Sequence, residues 1–321
     1  MTTRDNGHPA QSWDVYWRGT QENAAHQEGG PQDQVLEEYW TQLFRSREQS
    51  NSELKVLDLA CGNGAVTGYA AGVLQKHASY CLDYSPSALS ALQKRYPKAL
   101  CAAADAARPP FADASFDIVA SQFGAEYAGV ECLVQAAELV APGGVLAAVM
   151  HLHEGAIYAE CLANLHAIEA IHECRIMPLA RAAFNAGFDV NAKRGSVATF
   201  KQAEQAFTPA VRALEQIIEG SGQAIAAGLP SKLYGDIAHM YQRMSAYERS
   251  DIVTWLDGME MQLQAYAGRM SSMLECALNE TELEQLQSKL VSKQLQVTRC
   301  VKLEMGEKKE AAAWLLECHR P

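Results

Sequence analysis

Between residues 54 and 150 the chain alternates short apolar runs with segments whose apolar residues recur at helical spacing. The runs 54–59, 78–83, 99–104, 116–121 and 145–150 predict five strands, the third being the weakest. Helices are predicted over 67–76, 85–95 and 129–140, and Pro142-Gly143-Gly144 predicts a turn before the fifth strand. Strands that alternate with helices through short connections imply a parallel sheet covered on both faces. Such a sheet binds ligands at the carboxyl ends of its strands, beside the point where strand order reverses.

After residue 150 the period changes. Helical spacing dominates over 155–186, 201–219, 231–244 and 250–278, and 197–200 is the one brief strand signal. A last helix is expected to begin near residue 279, where Thr281-Glu282-Leu283-Glu284 has the capping-box form. The Met and aromatic residues of 234–259 are expected to be mostly helix core. Strand character returns at 296–305 and 311–319, which flank Gly306-Glu307-Lys308-Lys309 as a hairpin. The expected class is therefore α/β, with a seven-stranded sheet, helices on both faces and a large helical insertion between strands 5 and 6. Four segments follow: an N-terminal helical lid segment over 1–50, a core over 51–150, a helical insertion over 151–295 serving as substrate lid, and a terminal hairpin over 296–321. A separate C-terminal domain is the alternative, but its hairpin would have no sheet to join.

Charge and composition narrow the function. The 321 residues carry 27 Lys+Arg against 38 Asp+Glu, a net charge of −11, with no long basic run. That excludes a broad nucleic-acid footprint, because phosphate binding relies on clustered Lys and Arg. No stretch approaches the roughly 18 uninterrupted apolar residues of a membrane span, and the polar start has no apolar segment between charged flanks. Nine cysteines are scattered from Cys61 to Cys318 without a C-x-x-C pair. This spread argues against a disulfide framework or a structural zinc site and points to a reducing cytoplasm. Oligomeric state is left open.

The run Val56-Leu57-Asp58-Leu59-Ala60-Cys61-Gly62-Asn63-Gly64 joins a buried strand, an acidic residue and two glycines spaced G-x-G. Glycine there allows positive φ and close approach of the backbone to a ligand, at the start of a helix whose N–H groups point outward. The run resembles the glycine-rich first motif of class I S-adenosylmethionine-dependent methyltransferases. Later signals follow in that family's order: Asp83 in Leu82-Asp83-Tyr84-Ser85, Asp105-Ala106, the segment from Phe111 to Val119, and Leu139-Val140-Ala141-Pro142-Gly143-Gly144 before the fifth strand. The terminal hairpin matches the family's antiparallel last strands. A dinucleotide-binding dehydrogenase is the competitor, since a ribose carboxylate at Asp83 suits either family. Its fingerprint places Gly or Ala third, over a pyrophosphate, where this chain has Thr67. S-adenosylmethionine has no pyrophosphate.

The resemblance implies S-adenosylmethionine as cofactor. It places Ala60, Gly62 and Gly64 at the methionine end, with Asp58 organising that loop. Asp83 would accept from both ribose hydroxyls, with Tyr84 beside it, and Asp105 and Ala106 would meet the adenine. Gln122 and Phe123, after the fourth strand, are further cofactor candidates, as is Tyr16 in the aromatic run Trp13-Asp14-Val15-Tyr16-Trp17. His151-Leu152-His153 follows the fifth strand, and either histidine is a candidate general base for a protonated acceptor. H-x-H also suits a metal, but no third ligand stands nearby in sequence, so no metal is expected. The expected partner is a small-molecule methyl acceptor, with no nucleic acid and no membrane.

Overall fold

The computed structural model describes residues 33–48 and 53–321. These divide into two compact units, one of residues up to 160 together with 272–321, the other of residues 161–271.

The first unit begins with α1 (Gln34–Arg47), capped by the Asp33 carboxylate and buried along Leu36, Trp40, Leu43 and Phe44. Then β1 (Leu54–Leu59), α2 (Ala65–Val73), β2 (His77–Asp83), α3 (Pro86–Arg95), β3 (Leu100–Ala103), β4 (Phe116–Gln122), α4 (Val130–Glu138) and β5 (Val140–His151) alternate along the chain. After the helical region, β6 (Gln296–Met305) and β7 (Glu310–His319) close the same sheet, in the order β3-β2-β1-β4-β5-β7-β6. The first five strands run parallel, while β7 pairs antiparallel with both β5 and β6. The α/β class and the seven-stranded sheet are thus as expected. Strand order reverses between β1 and β4, and sheets of this kind ordinarily bind ligands at the carboxyl ends of such strands.

Pro142-Gly143-Gly144 does not precede β5 but lies within it. Val140 pairs with Phe116 and Val145 with Ile118, so residues 141–144 bulge out of the ladder. The bulge is fastened to the chain end, since Gly143 N–H donates to the Arg320 carbonyl and Arg320 N–H to that of Gly144. Against the sheet lies an apolar core that unites Leu57, Leu59, Val119 and Leu146 with Trp314. A late helix, described below, adds Leu283, Leu286 and Leu290 from one face.

The second unit is helical. The chain enters it through α5 (Ala156–Glu173), continues through α6 (Ile176–Asn191), α7 (Val197–Ser221) and α8 (Leu229–Gln242), and leaves through α9 (Arg249–Cys276). The single helix expected over 155–186 breaks at Arg175, which takes a left-handed φ of 57°, and Pro178 then sits in the first turn of α6, where its missing N–H costs nothing. The strand expected at 197–200 is instead the first turn of α7, because the Ser196 hydroxyl caps it by accepting from Thr199 N–H at 3.0 Å. Met240, Met244 and Met259 are buried, as core residues are. No helix among the described residues is long and apolar enough to cross a membrane.

The closing helix α10 (Glu280–Ser292) begins where expected, but its cap is Asn279 rather than Thr281. Asn279 Oδ1 accepts from Glu282 N–H at 3.0 Å while Glu282 Oε2 accepts from Asn279 N–H at 2.9 Å, a complete capping box. Asn279→Ala removes that acceptor and is expected to destabilise the protein by about 1 kcal/mol, read as a lower urea midpoint with an unchanged slope.

Candidate functional site at the carboxyl edge of the sheet

The turn after β1 passes through three left-handed residues, Ala60 (φ 54°), Gly62 (φ 52°) and Gly64 (φ 86°). Gly64 caps α2, and a Cβ on it would stand 2.8 Å from the buried Leu92 side chain, so this glycine is required on two counts. Beneath the turn, Asp58 is 2% exposed and its Oδ2 accepts from Thr67 N–H at 2.9 Å and from the Thr67 hydroxyl at 2.7 Å. Thr67 therefore ties the helix start to the strand end. Loss of water around Asp58 pushes its carboxyl up to about 7, against the two Thr67 bonds that favour the anion.

Asp83 closes β2 with both oxygens engaged: Oδ2 accepts from Gly62 N–H and Oδ1 from Ser85 N–H, each at 2.8 Å. Burial raises its carboxyl above the ordinary range, while these backbone bonds and one from Tyr84 pull the other way. A carboxylate has about four lone-pair positions, so these three bonds leave it room for a ligand. Tyr84 is 65% exposed at the same strand end. Asp105 is exposed after β3 and accepts from Ala107 N–H at 2.9 Å, an Asx turn that shapes its own loop. Ala106 is buried, and its carbonyl accepts from the Cys132 thiol at 3.1 Å.

At the end of β4, Gln122 Oε1 accepts from the Trp40 indole at 2.6 Å, a link across 82 residues that ties α1 to the sheet edge. Phe123 follows with φ 51°, a conformation that strains a bulky side chain and gathers at functional sites. Its N–H donates to the Val149 carbonyl at 2.8 Å. Next, Gly124 meets the glycine turn, since a Cβ there would lie 2.5 Å from the Ala60 carbonyl oxygen. Trp40 and Gly124 were both absent from the sequence-based candidates. Gly124 had a signal, an isolated glycine just past a strand, whereas nothing local marks Trp40.

His151 ends β5 at 3% exposure, with its Nδ1 2.7 Å from Glu126 Oε1 and its N–H donating to that same oxygen at 3.1 Å. Phe123 and Tyr127 pack on the imidazole with ring centroids 4.7 and 5.6 Å away. Glu126 is itself 3% exposed and was not among the sequence-based candidates. His153 is set apart from this cluster and packs on Tyr158 at 4.7 Å. Tyr16 and its aromatic neighbours lie outside the described residues.

Residues 57–148 match the family described as a methyltransferase domain. No curated protein matches the chain. Among solved structures, YcgJ protein from Bacillus subtilis is similar at 18% identity and a TM-score of 0.33, over 41% of this chain and 58% of that one. An S-adenosylmethionine-dependent methyltransferase from Mesorhizobium loti is similar at 20% identity and a TM-score of 0.30, over 35% and 53% respectively. A protein from Bordetella parapertussis described as possibly exported aligns over 89% of this chain and 67% of its own, at 9% identity and a TM-score of 0.43. The chain thus spans little more than half of the first two.

Asp58 makes the protein's stability depend on pH. Its folded carboxyl titrates at about 7 and its ordinary value is 3.8, so between these the folded state holds a proton that the unfolded state has lost. Stability is therefore expected to fall as pH rises through that window. Asp58→Asn keeps an oxygen that accepts both Thr67 bonds but cannot titrate. Thermal melts from pH 4 to about 7 are expected to show a shallower decline for this variant than for the parent.

Proposed function

We propose that this chain, whose residues 57–148 match the methyltransferase domain family, is a class I S-adenosylmethionine-dependent methyltransferase that transfers the cofactor's methyl group to a small molecule. The observation that carries the reading is the hydrogen bond from Gly62 N–H to Asp83 Oδ2. It joins the glycine turn to the acidic end of the neighbouring strand, so that the backbone for the methionine end and the carboxylate for the ribose act as one surface. Asp105 and Ala106 then serve the adenine side, with the exposed Tyr84 directly after Asp83. The cofactor supplies a methyl group already activated on a sulfonium. The chain's own part is to hold, orient and keep out water, and positioning by itself contributes about 7–11 kcal/mol to such reactions.

The acceptor is brought to the ends of β4 and β5, where Phe123, Tyr127 and His151 pack together. A small molecule is favoured over a nucleic acid by the net charge of −11. In chain order the helical unit follows β5, and we assign to it the choice of acceptor. No two of the nine cysteines are joined in a disulfide, which supports a reducing, cytoplasmic setting.

Calorimetry with S-adenosylmethionine, S-adenosylhomocysteine and NAD tests the cofactor, and binding of NAD alone would sink the proposal. Asp83→Ala is expected to weaken S-adenosylmethionine binding by about 1–3 kcal/mol. An unchanged affinity would remove Asp83 from the site.

A further inference from the structure

Three lone-pair side chains from distant parts of the first unit converge at the end of β5. Glu126 follows β4, His151 closes β5 and Cys276 ends α9, and one ligand-type atom from each lies within 4.8 Å of the others. Glu126 Oε1 stands 2.7 Å from His151 Nδ1, and Cys276 Sγ stands 4.0 Å from the same nitrogen across 125 residues. Glu126 Oε2 and His151 Nε2 are buried with no hydrogen-bond partner among the described residues. A buried carboxylate ordinarily pairs with a cation or holds a metal. Among the described residues, the ion-pair partner of Glu126 is His151, with no Lys or Arg at that distance.

The frame that carries these groups is set by main-chain bonds. His151 N–H donates to Glu126 Oε1, and Leu278 N–H donates to the His151 carbonyl at 2.9 Å. His153 N–H returns a bond to the Leu278 carbonyl at 3.0 Å, so the segment just past Cys276 runs locked beside the end of β5. Ala125 N–H donates to the Ser121 hydroxyl at 3.0 Å and fixes the turn that presents Glu126.

We propose that Glu126, His151 and Cys276 bind one divalent ion of the zinc class. An oxygen, a nitrogen and a sulfur make a borderline-soft set that suits zinc and cobalt better than magnesium or calcium. Tetrahedral bonds of about 2.0–2.3 Å imply ligand–ligand edges of about 3.3–3.8 Å. The separations of 2.7 and 4.0 Å bracket that range, so small side-chain rotations complete the site. The ion takes the place of the proton between Nδ1 and Oε1, the imidazole carrying its proton on Nε2 instead, and the Cys276 thiol releases its proton to solvent on ligation. Three protein ligands leave a fourth position for water or for an acceptor's thiol or hydroxyl, as in catalytic rather than structural zinc sites. The assignment gives the imidazole to an ion rather than to proton removal, and it stands whether or not the chain transfers methyl groups.

The test is a Co²⁺ titration of the full chain after chelation and dialysis. One equivalent is expected to bind with the intense visible bands of a four-coordinate ion and a near-ultraviolet thiolate band, both abolished by Zn²⁺. Cys276→Ala is expected to lose the thiolate band and to bind Co²⁺ roughly tenfold or more weakly, with its circular dichroism unchanged. Glu126→Gln is expected to keep the band and also bind more weakly. Failure to bind one equivalent, a thiolate band that survives in Cys276→Ala, or binding that neither substitution weakens overturns the site.

Discussion

The buried Asp58 carboxylate, gripped by the Thr67 amide and hydroxyl, fixes the first turn of α2 to the end of β1. Everything at the binding edge is built around that junction. Because the strand end and the helix start cannot separate, the chain between them must turn through Ala60, Gly62 and Gly64 with positive φ. The turn then presents Gly62 N–H to Asp83 and lets the Ala60 carbonyl press on Gly124. Burying the carboxylate is unfavourable to its charged form, and the junction carries that penalty against its two bonds from Thr67.

A second constraint is steric. Ala60 and Phe123 both sit in left-handed conformations that only surrounding structure sustains. They directly follow adjacent strands, at the place where strand order reverses, and Gly124 gives the two turns room to touch. Trp40 adds a third restraint by holding Gln122 from the side of α1. The edge is therefore preorganised by contacts among its own turns rather than by a ligand.

Away from the glycine turn, the ends of β4 and β5 carry a polar cluster of a different kind. Glu126 and His151 lie among Phe123 and Tyr127 and are nearly sealed from water. In such surroundings each lone pair needs a partner, and two atoms of the cluster have none among the described residues. The glycine edge suits a neutral or zwitterionic ligand held by backbone groups, whereas this cluster suits a cation.

Strand and helix periods, the G-x-G turn, the spacing from Gly62 to Asp83 and the terminal hairpin were all legible in the sequence, because each follows from local rules of burial and turn formation. Local rules also account for the misreadings. The β-branched residues of 197–200 look like a strand until Ser196 caps them into a helix, and the signal that Pro178 gave for a helix break at Arg175 was passed over. The links Trp40 to Gln122, Gly124 to Ala60, and Glu126 to His151 and Cys276 were beyond sequence reasoning. Each depends on which strand ends and helices the fold brings side by side. A sequence by itself settles what a segment forms, since a segment's own atoms enforce its period. Only the tertiary structure decided which segments share an edge, since contacts across 82 or 125 residues leave no pattern in either partner.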